Sequence, residues 1–126
     1  MVIDANVYWF PEQVFKDDRL LQTFLADIPR AYGTLGRVRD NDGRKEIVIE
    51  RPAGCPGVNY AEGDYDFDTQ LADMDRAGID RAVMKVPCCH EWMGLDMARL
   101  FNDGMADYGV RSHGASGPSC GHTSLW

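Results

Sequence analysis

Two short groups of residues in this chain could bind a metal ion. The segment 88–90 places Cys88, Cys89 and His90 in a row, and Cys120 and His122 follow His113 near the end of the sequence. Thiolates and imidazoles are the ligands that zinc prefers, but structural zinc sites usually show paired short spacings that are absent here. We therefore expect reduced thiols, with a zinc site as the alternative. Two adjacent cysteines are also a poor basis for a disulfide framework.

A series of alternating acidic residues offers a second possible chemistry, calcium binding. Glu62, Asp64, Asp66 and Asp68 alternate with other residues, but their spacing lacks the glycine and the final glutamate of the twelve-residue calcium loop. The simpler interpretation is a solvated segment that leads into a helix, because a helix N-terminus favours negative charge. This explains the acidic series without a bound ion. No Ser/His/Asp nucleophile motif, phosphate-binding loop or dinucleotide fingerprint occurs.

Composition limits the partners and the compartment. The formal net charge is -7 over 126 residues, and no cluster of Lys and Arg offsets it, so nucleic acid is not an expected partner. The N-terminus has no basic region, and no apolar run approaches the roughly 18 residues that span a bilayer. The sequence therefore predicts one cytoplasmic domain without a membrane partner.

The first part of the chain predicts a strand and a helix that could position these residues. Residues 2–10 are apolar and rich in β-branched and aromatic side chains, which favours a strand ending at Pro11. From Glu12 to Pro29 the apolar residues recur at helical spacing, which predicts one amphipathic helix. The stripe consists of Val14, Leu21, Phe24, Leu25 and Ile28.

A β-hairpin and a loop are expected next. Residues 36–39 and 45–51 flank a turn-forming cluster at residues 40–43, which is typical of a hairpin. Residues 52–64 contain two prolines and three glycines with little periodicity, which favours an irregular loop.

The remaining pattern indicates two more helices around a second strand. Asp68 can cap a helix that ends before Gly78, and residues 81–87 then read as a strand that follows after a short joint. A third helix from about Gly94 is expected to end at Gly109. Residues 113–126 offer no apolar run, and we expect an irregular tail that could be non-native, produced by a shifted reading frame or a truncation.

These segments resemble the amidohydrolase superfamily, in particular the branch of aminocarboxymuconate-semialdehyde decarboxylase and related metal-dependent hydrolases and decarboxylases. The opening residues 3–11, Ile-Asp-Ala-Asn-Val-Tyr-Trp-Phe-Pro, are similar to that family's first strand with its aromatic-proline exit. Residues 68–83, which run through Gly-Ile-Asp into a strand, are similar to its first barrel helix and second strand. Asn102 on the third helix also suits the family pattern.

The resemblance implies that residues 1–112 are the N-terminal portion of a (β/α)8 TIM barrel, comprising its first two βα units with an inserted β-hairpin. In the family, two histidines on strand one bind a divalent metal such as zinc. Here Asn6 and Tyr8 occupy the positions of that His-x-His pair. An amide oxygen and a phenol are poor zinc ligands, so we expect no metal or other cofactor on this chain. The alternative reading is that both side chains only form hydrogen bonds within the strand.

If strand two ends near Val86, the residues after it lie at the carboxyl end of the strands, where barrel enzymes build their sites. Asn6, Tyr8, Trp9, Cys88 and His90 are then candidates to line a substrate cavity, although a packing role for Trp9 and a plain loop at Cys88 and His90 are the alternatives. Catalytic residues are not identified.

The functional expectation is a truncated metal-dependent hydrolase or decarboxylase of small carboxylated substrates that is inactive as this chain. A small-molecule substrate is expected only where further sequence completes the barrel, since a whole barrel takes about 250 residues. The alternative is a non-catalytic interaction module that self-associates, because the faces and edges of two parallel strands need cover. Val7, Val83 and Val86 are among the candidates for the uncovered face. A partner copy of the chain or the folded-back tail, with Leu125 and Trp126, would cover it, and a homo-oligomer is expected.

Overall fold

The structure is a computed structural model that describes residues 1–30, 33–55, 57–114 and 124–125. It is a mixed α/β fold with two sheets, one parallel and one antiparallel, each of three strands. The strands are β1 (Ile3–Tyr8), β2 (Leu35–Asn41), β3 (Arg44–Glu50), β4 (Val58–Ala61), β5 (Arg81–Lys85) and β6 (Ser124–Leu125). The helices are α1 (Gln13–Lys16), α2 (Asp18–Asp27), α3 (Phe67–Ala77), a 3-10 helix (Cys88–Glu91) and α4 (Leu95–Gly114).

The parallel sheet has the order β1-β5-β6, and α3 connects its first two strands. Ile3 pairs with Arg81 and Tyr8 with Lys85, which confirms the predicted parallel pairing. The register shifts between Asp4 and Val7, so that β1 contains a bulge at residues 5 and 6. The backbone N–H of Asn6 within this bulge donates a hydrogen bond to Oδ1 of Asp4 over 2.9 Å.

The helix predicted from Glu12 to Pro29 is in fact two helices, α1 and α2, that meet at Asp17. Asp17 has an extended backbone, and its carboxylate accepts hydrogen bonds from the N–H groups of Arg19 (2.8 Å) and Leu20 (3.2 Å). A side chain that satisfies the free N–H groups of a new helix is an N-cap, and it favours a restart at this position. The apolar stripe could not reveal the break, because Val14 of α1 and Leu21 and Phe24 of α2 are all buried although they belong to two helices.

The predicted hairpin forms β2 and β3, with a turn at which Asp42 and Gly43 have positive φ. The interpretation of residues 52–64 as an irregular loop was wrong in part, because Val58–Ala61 forms β4 and pairs antiparallel with β3. Burial explains this pairing: Tyr60 is 2% exposed and lies opposite Ile47 in the register. One well-buried aromatic residue thus fixes a strand whose four residues show no clear period.

The helix α3 begins two residues earlier than predicted. Asp66, and not Asp68, is its N-cap, and the Asp66 carboxylate accepts the N–H of Thr69. The predicted end of the helix is confirmed: Gly78 has a φ of 68°, and the N–H of Ile79 donates to the carbonyl of Met74 over 2.9 Å. This is the hydrogen-bond pattern expected where a glycine ends a helix in the left-handed conformation.

The helix α4 does not end at Gly109 as predicted, but continues to Gly114. Tyr108 and Ser112, on either side of the glycine, are both buried, and Val110 is 72% exposed and therefore does not fold back on Met105. Tertiary packing of one face outweighs the low helix propensity of glycine here. Part of the predicted irregular tail is thus regular, since residues 113–114 belong to α4 and Ser124–Leu125 pairs parallel with β5 as β6.

The core lies between the two sheets and is built around Phe10, which is fully buried. The Phe10 ring stacks on Tyr60 with centroids 4.6 Å apart and meets Phe24 and Phe101 edge-on at 5.2 and 5.4 Å. Edge-on and offset ring pairs stabilise beyond the area they bury. Phe10, two residues after the end of β1, thereby connects the antiparallel sheet, α2 and α4.

The parallel sheet leaves one face largely uncovered in the described part of the chain. Ile3 is 51% exposed and Val83 39%, whereas Val7 and Val86 are half-buried and pack against the core. The expectation that all three valines lie on the uncovered face was therefore wrong for Val7 and Val86, because Val7 pairs with Met84 and Val86 is two residues beyond Met84, on the face of β5 that carries the buried Ala82. Among the helices that the structure describes, none combines the length and the apolar character needed to cross a membrane.

Candidate functional site

The carboxyl ends of β1 and β5 lie side by side, because the strands are parallel and Tyr8 pairs with Lys85. The N–H of Trp9 donates to the carbonyl of Lys85 over 3.1 Å, which extends the pairing by one residue. The 3-10 helix Cys88–Glu91 begins three residues after Lys85. The segments that carry the predicted site residues are thus brought to the same end of the sheet.

Asn6 and Tyr8 are exposed at this end of β1. The ammonium group of Lys85 lies 4.9 Å from the centroid of the Tyr8 ring, within the range of a cation–π contact. The backbone carbonyl of Tyr8 accepts a hydrogen bond from Nε2 of Gln70, and the hydroxyl of Tyr108 donates to Oε1 of the same amide over 2.6 Å. Helices α3 and α4 therefore hold the end of β1 in place.

Burial strongly raises the pKa of the Tyr108 hydroxyl, and the nearby Asp66 carboxylate raises it further. The Tyr108 phenol therefore stays protonated at any physiological pH and acts as a fixed hydrogen-bond donor to Gln70. A permanent donor suits a positioning contact better than it suits proton transfer.

Trp9 differs from the sequence expectation. Its side chain is only 7% exposed, and its indole packs edge-on against Phe101 and Tyr108 with centroids 6.0 and 6.4 Å apart. The indole therefore belongs to the core, which was the packing alternative for this residue. It borders a cavity between α3 and α4 that no residue of the 3-10 helix lines.

The cysteine and histidine candidates divide between described and undescribed positions. His90 is exposed in the 3-10 helix, and its neighbour Cys89 is fully buried. Cys88 begins that helix, His113 lies in α4, and Cys120 and His122 fall outside the described residues. In the described ranges no three His, Cys, Asp or Glu side chains are grouped so that they could hold a metal ion.

A cavity of about 330 Å³ adjoins the 3-10 helix and the antiparallel sheet. Trp92 is half-buried and provides aromatic surface, whereas Tyr60 lines the cavity but is almost fully buried. The Trp92 ring packs against Phe24 with ring centroids 5.2 Å apart. The polar groups that line the cavity include Arg51, Glu91 and the exposed thiol of Cys55. The volume lies at the lower end of the range typical of small-molecule sites, and the mixture of aromatic walls with few polar groups is also typical.

Arg51 is the cation of this cavity, and it forms no ion pair with any residue that the structure describes. Its planar guanidinium can bind a carboxylate through two parallel hydrogen bonds. Sequence reasoning missed Arg51, which directly follows β3, and Tyr60 of β4, because this region was expected to be a hairpin followed by a loop. The available signal was a lone arginine directly after a strand that alternates apolar and charged residues.

Comparisons of this chain with protein-family models, with curated proteins and with solved structures find no match.

Proposed function

We propose that this chain forms the first two βα units of an amidohydrolase-like barrel and binds small carboxylated molecules in the cavity beside the 3-10 helix that follows β5. The observation that carries the proposal is the parallel β1-α3-β5 unit, with an antiparallel sheet inserted between β1 and α3. This order agrees with the order of segments in the resemblance. Barrel enzymes place their sites at the carboxyl ends of the strands, and the 3-10 helix follows the carboxyl end of β5.

The cavity beside the 3-10 helix is the place where we propose that the carboxylated molecule binds. The Arg51 guanidinium pairs with the carboxylate, and the half-buried ring of Trp92 contacts an apolar or aromatic group of the ligand. Substrates of this chemical class are what the resemblance implies.

The metal of the resembling family does not fit the residues present. Asn6 and Tyr8 provide an amide and a phenol, and no grouping of three candidate ligands occurs among the described residues. We therefore derive no catalytic step and propose that this chain binds its ligand without turnover. Hydrolysis or decarboxylation would require further strands, since a complete barrel takes about 250 residues.

The test is a titration of the protein with benzoate, in which calorimetry and tryptophan fluorescence measure the dissociation constant. We expect Arg51→Gln to weaken binding about tenfold or more, because a charge-assisted hydrogen bond to a carboxylate is lost. Arg37→Gln is the matched control, since Arg37 is an exposed arginine of the same sheet that pairs with Glu50 across the strands. Equal affinities of the two variants, or binding of benzamide as tight as that of benzoate, would refute the carboxylate site.

A second candidate function, a non-catalytic module that self-associates, is favoured by a different observation. One face of the parallel sheet exposes Ile3 and Val83 together with Tyr8, which is 40% exposed. Apolar surface of this kind gains about 25 cal/mol per Å² when it is removed from water. Light scattering coupled to size exclusion tests this function: a dimer that Val83→Lys dissociates supports it, and a monomer at all concentrations excludes it.

A further inference from the structure

A second cavity, of about 150 Å³, lies between the start of α3 and the second half of α4. Four aromatic side chains line it: Trp9, Tyr65, Phe67 and Tyr108. Its volume is below the range of sites that enclose drug-sized molecules, so that it can accept only the end group of a ligand. The cavity is separate from the one that contains Arg51, because the two have no lining residue in common.

The charged groups that line this cavity are mainly acidic. Glu12, Asp66 and Asp107 contribute three carboxylates, and Arg111 contributes the single cation among the lining residues that the structure describes. The Glu12 carboxylate already accepts the N–H groups of Gly63 and Tyr65, and Asp66 caps α3. Asp107 is exposed and has no hydrogen bond or ion pair within the described ranges, so its carboxylate can receive a ligand.

The chain itself shows which chemical group these walls accept. The guanidinium carbon of Arg111 lies 4.2 Å from the centroid of the Phe67 ring, in a cation–π contact. A planar guanidinium is weakly hydrated and stacks readily on aromatic rings. Arg111 is exposed and belongs to the surface of α4, so that its side chain can leave the Phe67 ring without disturbing the core.

We propose that this cavity, which we call the α3–α4 cleft, binds the alkylguanidinium group of a small molecule. The ligand takes the place of the Arg111 guanidinium on the Phe67 ring, and Asp107 pairs with its charge. The proposal is independent of the carboxylate site, because it involves another cavity and the opposite ligand charge.

The experiment titrates the full chain with butylguanidinium and with butylurea, a neutral molecule of similar shape. Calorimetry gives the affinity, and the indole N–H resonance of Trp9 reports whether the ligand enters the α3–α4 cleft. We expect butylguanidinium to shift this resonance and to bind more tightly than butylurea.

Two surface variants are expected to change the affinity for butylguanidinium in opposite directions. Asp107→Asn should weaken binding about twofold to fivefold, and Arg111→Gln should strengthen it by a similar factor, because each changes one exposed electrostatic contact. Both residues are exposed, so the variants should fold, and circular dichroism is the check on this. Weaker binding in Arg111→Gln would mean that the cleft binds an anion, and equal binding of the two probes would mean that charge plays no part; either result overturns the proposal.

Discussion

Gly104 of α4 lies directly against Trp9: a β-carbon built on Gly104 would be 2.3 Å from Cη2 of the indole. No side chain at position 104 can coexist with the present position of this ring. The contact connects the residue that follows β1 to the middle of α4, in a region where Phe101 and Tyr108 surround the same indole.

We therefore expect Gly104→Ala to destabilise the protein by about 1–3 kcal/mol, the usual cost of forcing an extra group into a packed core. Gly109→Ala is the control in the same helix, because a β-carbon there meets no atom within 4 Å. That variant should gain up to about 1 kcal/mol from the higher helix propensity of alanine. Urea unfolding of both variants measures the difference, and a Gly104→Ala protein as stable as the parent would contradict the packing described here.

The carboxylate of Glu12 connects the start of α1 to the turn before α3. It accepts the N–H groups of Gly63 (2.9 Å) and Tyr65 (3.0 Å), and it is half-buried. Glu12→Ala should lower the free energy of unfolding by about 1–3 kcal/mol, because two backbone donors lose their acceptor. Asp103→Ala, at an exposed position of α4, should change it by less than about 0.5 kcal/mol. Thermal unfolding of the two variants checks this order.

Burial raises the pKa of Tyr65 to about 12, and the Asp64 and Glu12 carboxylates contribute to the same shift. The folded-state pKa thus exceeds the value of about 10 expected in the unfolded chain. Stability from this group is fully present below pH 10 and is lost as the pH rises towards 12. Tyr65→Phe should reduce the loss of stability over this range, as measured by urea unfolding at several pH values. A parent protein equally stable at pH 9 and pH 11.5 would argue against the shift.

Whether positions 6 and 8 can hold a metal ion can be tested by introducing histidines in place of Asn6 and Tyr8. We expect the parent protein to contain no stoichiometric zinc, and we expect the double variant Asn6→His, Tyr8→His to bind one zinc ion per chain. The comparison is Arg37→His, Arg39→His, an equally spaced exposed pair in β2. Zinc titration by calorimetry should show tighter binding at positions 6 and 8, with His90→Ala weakening it. Equal affinity at both pairs would leave no support for a metal position at the end of β1.

The short strand β6 covers part of the edge of β5, where Arg81 pairs with Ser124 and Ala82 with Leu125. Removing residues 115–126 should expose this edge and promote association between copies of the chain. A chain that lacks only Trp126 is the control, since it retains β6. Light scattering coupled to size exclusion gives the mass of each, and a deletion variant that remains a stable monomer would show that β6 is not needed to cover the edge.

The unit β1-α3-β5 was predictable from the sequence, because residues 68–83 combine a helical stripe, a glycine stop and an apolar strand within one short segment. The strand β4 was not predictable from the sequence, because its buried aromatic residue, Tyr60, indicates a strand only once it is known to pair with Ile47 of β3. The break at Asp17 and the continuation of α4 past Gly109 depend likewise on partners distant in sequence.

The candidate site followed the same division. Strand order alone predicted that the end of β1 and residues 88–90 lie at the same end of the parallel sheet, and the parallel pairing of Tyr8 with Lys85 agrees with this. The cavity that contains Arg51 depends on how the antiparallel sheet packs against Trp92, and no local pattern indicates such an approach. Trp9 was assigned to the same end of the sheet correctly, but its burial against α4 could not be deduced from its position on a strand.

The bulge in β1 affects how this chain behaves beside other extended chains. β1 is the last strand of its sheet, and the outer edge of such a strand is a template for aggregation. The N–H of Asn6 is already bound by the carboxylate of Asp4, and the irregular register interrupts the even row of backbone groups that an incoming strand would need. A foreign strand could therefore pair with only a short stretch of β1, and this limits the growth of intermolecular sheets from the β1 edge of the parallel sheet.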